Sequence, residues 1–466
     1  MRRTARVTML VAALSGCTMA PAYHRPELPV PASWPVGDAY LRQSEAALPS
    51  YNYTDVFRDR RLLAVIDQAL ANNEDLKKAA ANIEIARAQY RIQHAELLPQ
   101  LDASLTYRRS GGSDSSADSE QTNAELSVTN YELDLFGRLR SLSGAAKDRY
   151  FASEATARAT RLTLIGDVAD AWIAYAADSS LLAIARQTAD AARESVRLTG
   201  RRLSGGVAPR TDLRQAEIVL HTAEADAASL TTTVAQDLNA LQLLVGAQVG
   251  PANLSTSIED AGSNLAEVSA GLDSTILLRR PDVIQAEWLL RAANANIGAA
   301  RAALFPKITL TGLLGLASAG LAGLFSGGSF IWSAGGAVNY PIFSGGAAKA
   351  GVAQSKAQRD AALSDYRKAI ESAFADVANA LARRGTIDAQ LRAATAGRDA
   401  SADNLHLADL RYRGGIDSYL GELTARQSLY NAERALVTTR QLRAANLVAL
   451  YRAIGADAFA TDPHRP

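Results

Sequence analysis

Residues 308–325 read ITLTGLLGLASAGLAGLF, and no charged side chain lies between Lys307 and Lys349. Hydropathy alone would classify this segment as a transmembrane helix. Ten glycines within residues 308–346 argue against a helix, because glycine suits strands and tight turns better. Apolar side chains also alternate with the period of two that is typical of strands; they are Phe330, Trp332, Val338, Tyr340 and Ile342. The pattern therefore predicts a β-hairpin over about residues 307–343.

A second copy of this region precedes it by 207 residues. LLPQL at 97–101 aligns with LFPKI at 304–308 at that offset. The glycine turn RLSGGV at 202–207 aligns with YRGGI at 412–416 at almost the same spacing. Landmarks that keep one order and one spacing indicate an internal duplication. The chain is therefore predicted to consist of two tandem structural repeats.

The first copy excludes a membrane helix and supports the hairpin. It carries Asp102, Arg108 and Arg109, which a membrane helix does not tolerate. Hairpins at about 100–135 and about 307–343 give four strands per chain. An open four-stranded sheet leaves unpaired edges in lipid, and closed membrane barrels need at least about eight strands. A barrel is therefore predicted to combine more than one chain.

Two long segments without proline are predicted to form very long helices. They run from Arg138 to Gly200 and from Ala347 to Arg411, and alanine, leucine and arginine dominate them. At 1.5 Å per residue each helix would extend roughly 95 Å, a length typical of coiled-coil or tubular assemblies. The fold class is therefore predicted as mainly α with a small β part.

Six prolines between Thr18 and Ser50 forbid a long helix and favour an extended strap before the repeats. The predicted segments are a signal peptide (1–16), a lipidated strap (17–60), repeat 1 (61–246), a linker (247–277), repeat 2 (278–455) and a C-terminal tail (456–466).

The N-terminus has the features of a secretory signal. Arginines at positions 2, 3 and 6 precede the apolar run Val7–Leu14, which is too short to span a bilayer. The Leu-Ser-Gly that follows leads to Cys17 and resembles a bacterial lipobox. Cys17 is therefore predicted to carry S-diacylglycerol and an N-acyl chain. The alternative is a free cysteine in an uncleaved or ordinarily cleaved signal.

The composition argues against several classes of protein. Basic residues total 49 and acidic residues 48, so no basic excess is available for nucleic-acid binding. One cysteine excludes a disulfide framework and multi-cysteine metal sites, and no two of the five histidines have metal-ligand spacing. Neither a glycine-rich phosphate loop nor an ordered catalytic triad occurs. We therefore expect no enzyme activity, no metal and no cofactor other than the covalent lipid.

Several groups of residues carry a resemblance to a known family. They are Leu14–Cys17, Tyr23–Pro26, Leu70–Asn73 with Asp75–Leu76, Phe136–Gly137, Arg280–Val283 with Ala286–Glu287, Leu304–Pro306 and Ser428–Asn431. In these motifs and their order the chain resembles TolC-like outer-membrane efflux channels, in particular their lipoprotein subgroup.

The resemblance implies a homotrimer whose twelve strands close one outer-membrane β-barrel, which the long helices continue as an α-barrel through the periplasm. The implied partners are a periplasmic adaptor (membrane fusion) protein and an inner-membrane pump, most often of the resistance-nodulation-division type. Thr18 stands where an Asp would retain a lipoprotein at the inner membrane, which predicts an anchor in outer-membrane lipid. The implied function is passive exit of drugs or other small toxic molecules. The alternatives are an exit duct for protein secretion and a lipid-anchored coiled-coil scaffold without a pore.

The resemblance also implies a gate at the periplasmic tip, in the turns that follow the long helices. Asp212 with Thr211 matches the first-repeat gate motif, in which the Asp accepts bonds from second-repeat side chains. Glu422 falls at an acidic constriction, although Thr424 stands where relatives carry an Asp. The other candidates are the bond partners Arg210, Tyr419 and Arg426 and the apolar plug Leu420.

Two of these assignments have simpler alternatives. Asp212 follows Pro209 at a predicted helix start, where an acidic side chain is an ordinary N-cap. Phe330, Trp332 and Tyr340 are predicted to lie at membrane interfaces, where aromatic rings meet lipid headgroups. Local packing inside the barrel is the alternative for these rings.

Overall fold

The structure is a computed structural model that describes residues 18–37, 39–40, 52–111, 119–267 and 273–456. The signal segment, Cys17 and the tail from 457 onward lie outside the described residues. In chain order the elements are α1 (Tyr53–Val56), α2 (Arg60–Asn72), α3 (Glu74–Ala95), β1 (Asp102–Ser110), β2 (Ser119–Glu132), α4 (Arg138–Ser204), α5 (Arg210–Val245), α6 (Ile258–Ser263), α7 (Pro281–Ala302), β3 (Lys307–Ser318), β4 (Phe330–Asn339), α8 (Ala347–Arg413) and α9 (Tyr419–Ala453).

The predicted fold class is confirmed, because long helices dominate the chain and its strands form one small sheet. Helices α4 and α8 each contain 67 residues, or roughly 100 Å of helix. They begin at Arg138 and Ala347, as the sequence predicts. By length and composition an apolar stretch of α4 is able to cross a membrane, and 44% of it is buried inside the protein.

Both long helices end with the same glycine turn. The N–H of Gly206 donates to the carbonyl of Leu203, and the N–H of Val207 donates to that of Arg202. The second repeat does the same with Gly415 and Ile416. Gly206 and Gly415 have φ angles of 74° and 71°, a left-handed conformation that favours glycine. The repeated glycine pair therefore determines where each long helix ends and where the chain reverses direction.

In both repeats a hydrogen bond joins the residue just before one of the shorter helices to the end of the helix that returns after the long helix. In the first repeat the Asn73 side-chain amide, just before α3, donates to the carbonyl of Leu244 near the end of α5 (2.8 Å). In the second repeat Arg280, just before α7, donates to the carbonyl of Ala453 at the end of α9 (2.9 Å). Equivalent positions thus join α3 to α5 and α7 to α9.

The chain divides into two compact units, and each contains pieces of both repeats. The first comprises Met1–Glu27, Ala81–Ala155 and Gln285–Lys368, and the second comprises Leu28–Ala80, Thr156–Ile284 and Ala369–Pro466. The first unit contains the sheet. The second contains the largest fully buried aromatic rings apart from Tyr366, namely Trp172, Tyr451 and Phe57.

The sheet is an antiparallel meander in the order β1-β2-β3-β4. The hairpins pair Ala103 with Leu126 and Leu314 with Trp332, and Leu126 pairs with Leu314 between them. One irregularity interrupts the β2–β3 pairing between Val128 and Tyr131. The outer strands β1 and β4 therefore pair on one side only within the described chain.

Candidate functional site

The two faces of the sheet differ in chemistry. Directly paired residues form rows across the four strands, and the rows of one face are Ala103–Leu126–Leu314–Trp332 and Leu105–Ala124–Leu316–Phe330. Rows of the other face are Ser104–Glu125–Gly315–Ile331 and Asp102–Ser127–Leu313–Ser333. One face is thus apolar apart from the Arg109–Glu120 pair at the end of the first hairpin, and the other carries Asp102, Arg108 and Glu125. A sheet of this kind suits lipid on one side and water on the other.

The predicted interface aromatics lie toward opposite ends of β4. Phe330 and Trp332 are at its start, on the apolar face, and their exposed fractions are 59% and 70%. Tyr340 directly follows its last residue. Tyr340 lies eight positions after Trp332, about 26 Å along an extended strand. A strand tilt of about 40° reduces this to about 20 Å along the membrane normal, somewhat less than the roughly 25 Å apolar band of a membrane barrel. This spacing supports the interface assignment, which stays a prediction.

Asp212 is the third residue of α5, and it is not the N-cap. The N-cap is Pro209, and no side chain caps this helix. The N-cap interpretation is therefore wrong, because Asp212 lies one turn too far into the helix. In the first turn of α5, the carboxylate of Asp212 is still stabilised by the positive end of the helix dipole. Within the described residues the structure brings none of the second-repeat candidates into hydrogen bonding with Asp212.

Helix α9 presents the second-repeat candidates on two different faces. Tyr419 and Glu422 are buried, with 2% and 4% of their surface exposed, whereas Leu420 is 56% exposed. Thr424 is also exposed, and its hydroxyl donates to the carbonyl of Leu420 in its own helix (2.8 Å). Arg426 lies with the first group, because spacings of three and four residues share one helix face.

Glu422 forms an ion pair inside the chain. Arg426 donates to its carboxylate at 2.6 Å, and both side chains are largely buried. Burial raises the pKa of the neighbouring Tyr419 to about 12, and the charge of Glu422 adds to this shift. The structure thus brings together Tyr419, Glu422 and Arg426, and it separates them from Leu420 and Thr424. This position favours a packing role for Glu422, while its role in a constriction stays a prediction.

The sequence analysis missed two residues near Tyr419, namely Arg202 at the end of α4 and Tyr412 at the end of α8. The Arg202 guanidinium lies 4.6 Å from the ring centre of Tyr412, and the rings of Tyr412 and Tyr419 are 5.4 Å apart. These side chains line a cavity of about 620 Å³ among the ends of α4 and α8 and the start of α9. The available signal was the alignment of the two glycine turns, in which Arg202 and Tyr412 are the first residues.

Charged and polar pairs join the two repeats further along these helices. Tyr430 of α9 donates to Asp226 of α5 at 2.6 Å, and burial raises the pKa of this tyrosine to about 12. Arg452, at the end of α9, pairs with Asp167 of α4 at 2.6 Å and also with Asp170. Burial raises the pKa of Asp170 to about 6, although Arg452 opposes the shift. These contacts hold α9 against both α4 and α5.

The start of the described chain lies along α7. Asn294 donates to the carbonyl of Pro21 (2.8 Å) and Arg301 to that of Met19 (3.2 Å). A Cβ atom added at Gly298 would lie 2.7 Å from the backbone nitrogen of Ala20, so the strap and the helix meet closely there. This contact fixes the chain only two residues after Cys17, the predicted lipid site outside the described residues.

Glu287 of α7 is the central polar group of this contact. It is buried, with 5% of its surface exposed, and it accepts from Arg25 (2.8 Å) and Arg291 (2.7 Å). The Tyr23 hydroxyl also donates to it, at 3.3 Å. Hydrogen bonds from the two arginines hold the pKa of Glu287 below its usual range against the opposing effect of burial. Within the described chain no group of three potential metal ligands occurs.

Comparison with known proteins identifies the family. The model of the outer membrane efflux protein family matches residues 65–247 and 272–456, one match for each predicted repeat. The toluene efflux pump outer membrane protein TtgC of Pseudomonas putida is 41% identical over 450 residues, 95% of this chain and 93% of that protein. Outer membrane protein OprJ of Pseudomonas aeruginosa is 38% identical and covers 96% of this chain and 94% of its own.

Solved structures agree with these relatives. The open state of the Neisseria gonorrhoeae MtrE outer membrane channel is 37% identical, with a TM-score of 0.86 over 94% of this chain and 98% of that chain. A membrane protein from Pseudomonas aeruginosa has a TM-score of 0.87 at 36% identity, over 94% and 98% of the two chains. The sheet, the paired long helices and these similarities lead to one conclusion: the chain belongs to the outer membrane efflux protein family, the TolC-like channels of bacterial outer membranes.

Proposed function

We propose that this protein is the exit duct of a tripartite efflux pump, through which drugs, solvents or other small toxic molecules pass passively from the periplasm to the exterior. Family membership carries the proposal, since the relatives are outer membrane components of efflux pumps. The relatives are named for toluene, solvent and antibiotic efflux, which indicates the substrate class to test first. The two-faced sheet provides the physical means of crossing the outer membrane.

The sheet also supports a homotrimer. Its outer strands β1 and β4 pair on one side only, and an unpaired strand edge is costly in lipid. Three copies supply twelve strands, which is enough to close a barrel. The edge strands of neighbouring copies would pair with each other. The test is the mass of the purified full chain, which should equal that of three chains.

The proposed anchor is the diacylglyceryl and N-acyl lipid on Cys17. More than one acyl chain makes membrane attachment stable. The strap contact along α7 begins two residues later, so the lipid would lie beside this helix rather than at the end of a long tether. The proposed partners are a periplasmic adaptor protein and an inner-membrane pump of the resistance-nodulation-division type. No enzymatic step is part of this function.

Ion conductance of the purified chain in planar bilayers tests the proposal. A channel gives stepwise currents, whereas a coiled-coil scaffold without a pore gives none. In cells, deletion of the gene should raise the accumulation of toluene or of a fluorescent drug. Secretion of proteins into the medium should not change. Loss of a secreted protein with unchanged drug accumulation would instead assign the duct to protein secretion.

A further inference from the structure

The two repeats meet within the chain at the base of the sheet, where the strands are followed by helices. There the ring of Phe136 stacks on that of Phe305, with 4.7 Å between the ring centres. Beside it the N–H of Leu133 donates to the carbonyl of Ile308 (2.8 Å). The end of the first hairpin thus packs against the start of the second. We call this contact of four residues the internal joint.

Both surfaces of the internal joint occur a second time, at the two outer edges of the sheet. The offset of 207 residues between the repeats places Phe343 in the position of Phe136 and Leu98 in that of Phe305. Phe343 follows β4 and is 90% exposed, and Leu98 precedes β1 and is 68% exposed. Exposed apolar side chains that lie together mark interaction surfaces, and Ile342 beside Phe343 is exposed as well. Each outer edge therefore carries one half of such a joint.

The helices that adjoin the sheet show the same difference. In the second repeat α7 buries Ala292 and Ala299, which are seven residues apart on one helix face. The equivalent positions of α3, 207 residues earlier, are Ile85 and Ile92, and both are more than half exposed. An isoleucine has more apolar surface than an alanine, so leaving this face uncovered costs more free energy. We therefore expect this face of α3 to contact another chain.

The pairing of the two middle strands specifies how the outer strands meet. Tyr131 of β2 lies opposite Leu310 of β3, on the helix side of the β2 irregularity. The offset of 207 residues converts this pair into Val338 of β4 and Ala103 of β1. Both of these lie on the apolar face, so their pairing keeps that face apolar across the new contact. A slip of one residue would turn every side chain of one strand to the other face.

We propose that the partner of both outer edges is a second copy of this chain, with Val338 of one copy opposite Ala103 of the next and Phe343 packed on Leu98 of the next. This inference rests on the proposed homotrimer and adds the residues and the register of its contacts. The contact between copies repeats the internal joint, with a leucine in place of one phenylalanine ring. Strands β1 and β4 thereby gain a second neighbour, and the exposed apolar side chains beside them are covered.

Oxidative cross-linking of the full-length chain in outer membranes tests the register. Residues that lie opposite each other in antiparallel strands have Cα atoms about 4.5–5.5 Å apart, a distance that a disulfide spans. Ala103→Cys with Val338→Cys should therefore give bands of two and three chains on non-reducing gels. Within one chain three strand spacings, about 14 Å, separate the two positions, so this disulfide forms only between copies.

The control pair is Leu105→Cys with Val338→Cys. Leu105 is on the same face as Ala103 but two residues along β1, about 7–8 Å from Val338 of the next copy and too far for a disulfide. Each single variant measures the background, including any from Cys17. Cross-linking of the control pair instead, or of neither pair, refutes the register if the wild-type mass is that of three chains. A wild-type mass of one chain refutes the homotrimer itself.

The temperature at which the assembly dissociates on gels tests the packing of Phe343 on Leu98. Leu98→Phe copies a ring of the internal joint and should raise that temperature, because stacked rings attract each other beyond the area they bury. In a Phe343→Ala background it should have no such effect. Phe343→Ala alone should lower the temperature. Phe325→Ala is the matched control, because Phe325 is a similarly exposed ring in the loop between β3 and β4, outside the proposed contact. Equal temperatures in wild type, Leu98→Phe and Phe343→Ala would refute this packing.

Discussion

At the residue scale, Glu422 and Asp212 have different surroundings, although the resemblance to TolC-like channels predicts that both belong to the gate. Glu422 is buried against Arg426, and Asp212 has no such partner among the described residues. Charge at a constriction controls which ions pass. A carboxylate contributes to that charge only if no arginine or lysine of the chain forms an ion pair with it. Asp212 meets this condition better than Glu422.

Asp212→Ala, alone or with Glu422→Ala, should therefore raise the single-channel conductance in planar bilayers, because the smaller uncharged side chain widens the predicted constriction at the tip. Glu422→Ala alone should lower the melting temperature, since it leaves the largely buried Arg426 charge unpaired; the cost is about 1–3 kcal/mol. Unchanged conductance in the double variant would remove both residues from the gate.

Asp148 in α4 gives a pH-dependent prediction. Burial raises its pKa to about 6, and the nearby Arg291 and Lys147 only partly oppose this. In the unfolded chain an Asp has a pKa near 3.9, so ionisation disfavours the folded state increasingly between about pH 4 and pH 6 and fully above that range. The carboxyl is partly exposed, and solvent screening reduces the cost to about 1–2 kcal/mol.

Asp148→Asn should therefore raise the melting temperature at pH 8 and have no stabilising effect near pH 4. Thermal unfolding of the purified channel at both pH values measures this. Asp403→Asn is the control, because Asp403 is an exposed aspartate in the last third of α8. A gain of the same size at both pH values would contradict the burial argument.

At the element scale, the sheet places neighbouring leucines of β3 on opposite faces. Leu314 is in the apolar row with Leu126 and Trp332, and Leu313 is in the row that contains Asp102. An arginine that faces lipid at mid-membrane costs about 2–4 kcal/mol, whereas one that faces a water-filled lumen costs little. The two positions are therefore a matched pair for testing the face assignment.

Leu314→Arg should reduce the amount of folded channel in the outer membrane more than Leu313→Arg does. The loss should be smaller than for a mid-membrane position, because Leu314 pairs with the predicted interface residue Trp332. Membrane fractionation with heat-modifiability on gels measures both. Equal loss in the two variants would mean that the sheet does not have one lipid face and one water face.

The strap is a second element with a clear test. Gly298→Ala places a Cβ atom against the Ala20 backbone and the Ser141 hydroxyl of α4. The hydroxyl is able to rotate away, whereas the backbone is not, so residues 18–25 should separate from α7 and exchange their amide hydrogens faster. Gly351→Ala, in the first turns of α8, is the control because nothing lies within 4 Å of its added Cβ. Unchanged exchange in Gly298→Ala would show that the strap tolerates a shift at this contact.

At the scale of the whole molecule, the sequence predicts the parts of the fold that depend on local pattern and on repetition. The starts of α4, α7 and α8 follow from the absence of proline and from Pro281, and the strands follow from alternation. The two compact units do not follow from the sequence, because each joins pieces of both repeats. Contacts between distant segments decide which pieces pack together, and a linear pattern does not contain that information.

The candidate site shows the same limit. Helical spacing alone groups Tyr419 with Glu422 and Arg426, but only the packing of α4 and α8 against α9 shows that this group is buried. Arg202 and Tyr412 both stand in the aligned glycine turns, but an alignment does not show that two residues so far apart in the chain come into contact. The N-cap interpretation of Asp212 failed because the helix begins three residues earlier than it requires, and helix boundaries are the least certain part of a prediction from sequence.

Cys17→Ala tests the anchor of the whole molecule. The variant should lose all incorporation of radiolabelled palmitate, because no other cysteine is present in the chain. Lys77→Ala is the control, since this exposed residue lies far from the signal and its variant should label like wild type. Labelled lipid on Cys17→Ala would remove the lipoprotein assignment.

The shared end-to-end contacts of α3 with α5 and of α7 with α9 have a consequence for symmetry. Each repeat has its own hairpin, long helix, glycine stop and returning helix, so a half-length ancestor could have formed the same duct as a ring of six identical copies. In the proposed homotrimer, joining two repeats in one chain changes sixfold symmetry to threefold. Alternate positions around the ring are then free to differ, as Asp212 and Gly421 do, one in the first turn of each returning helix.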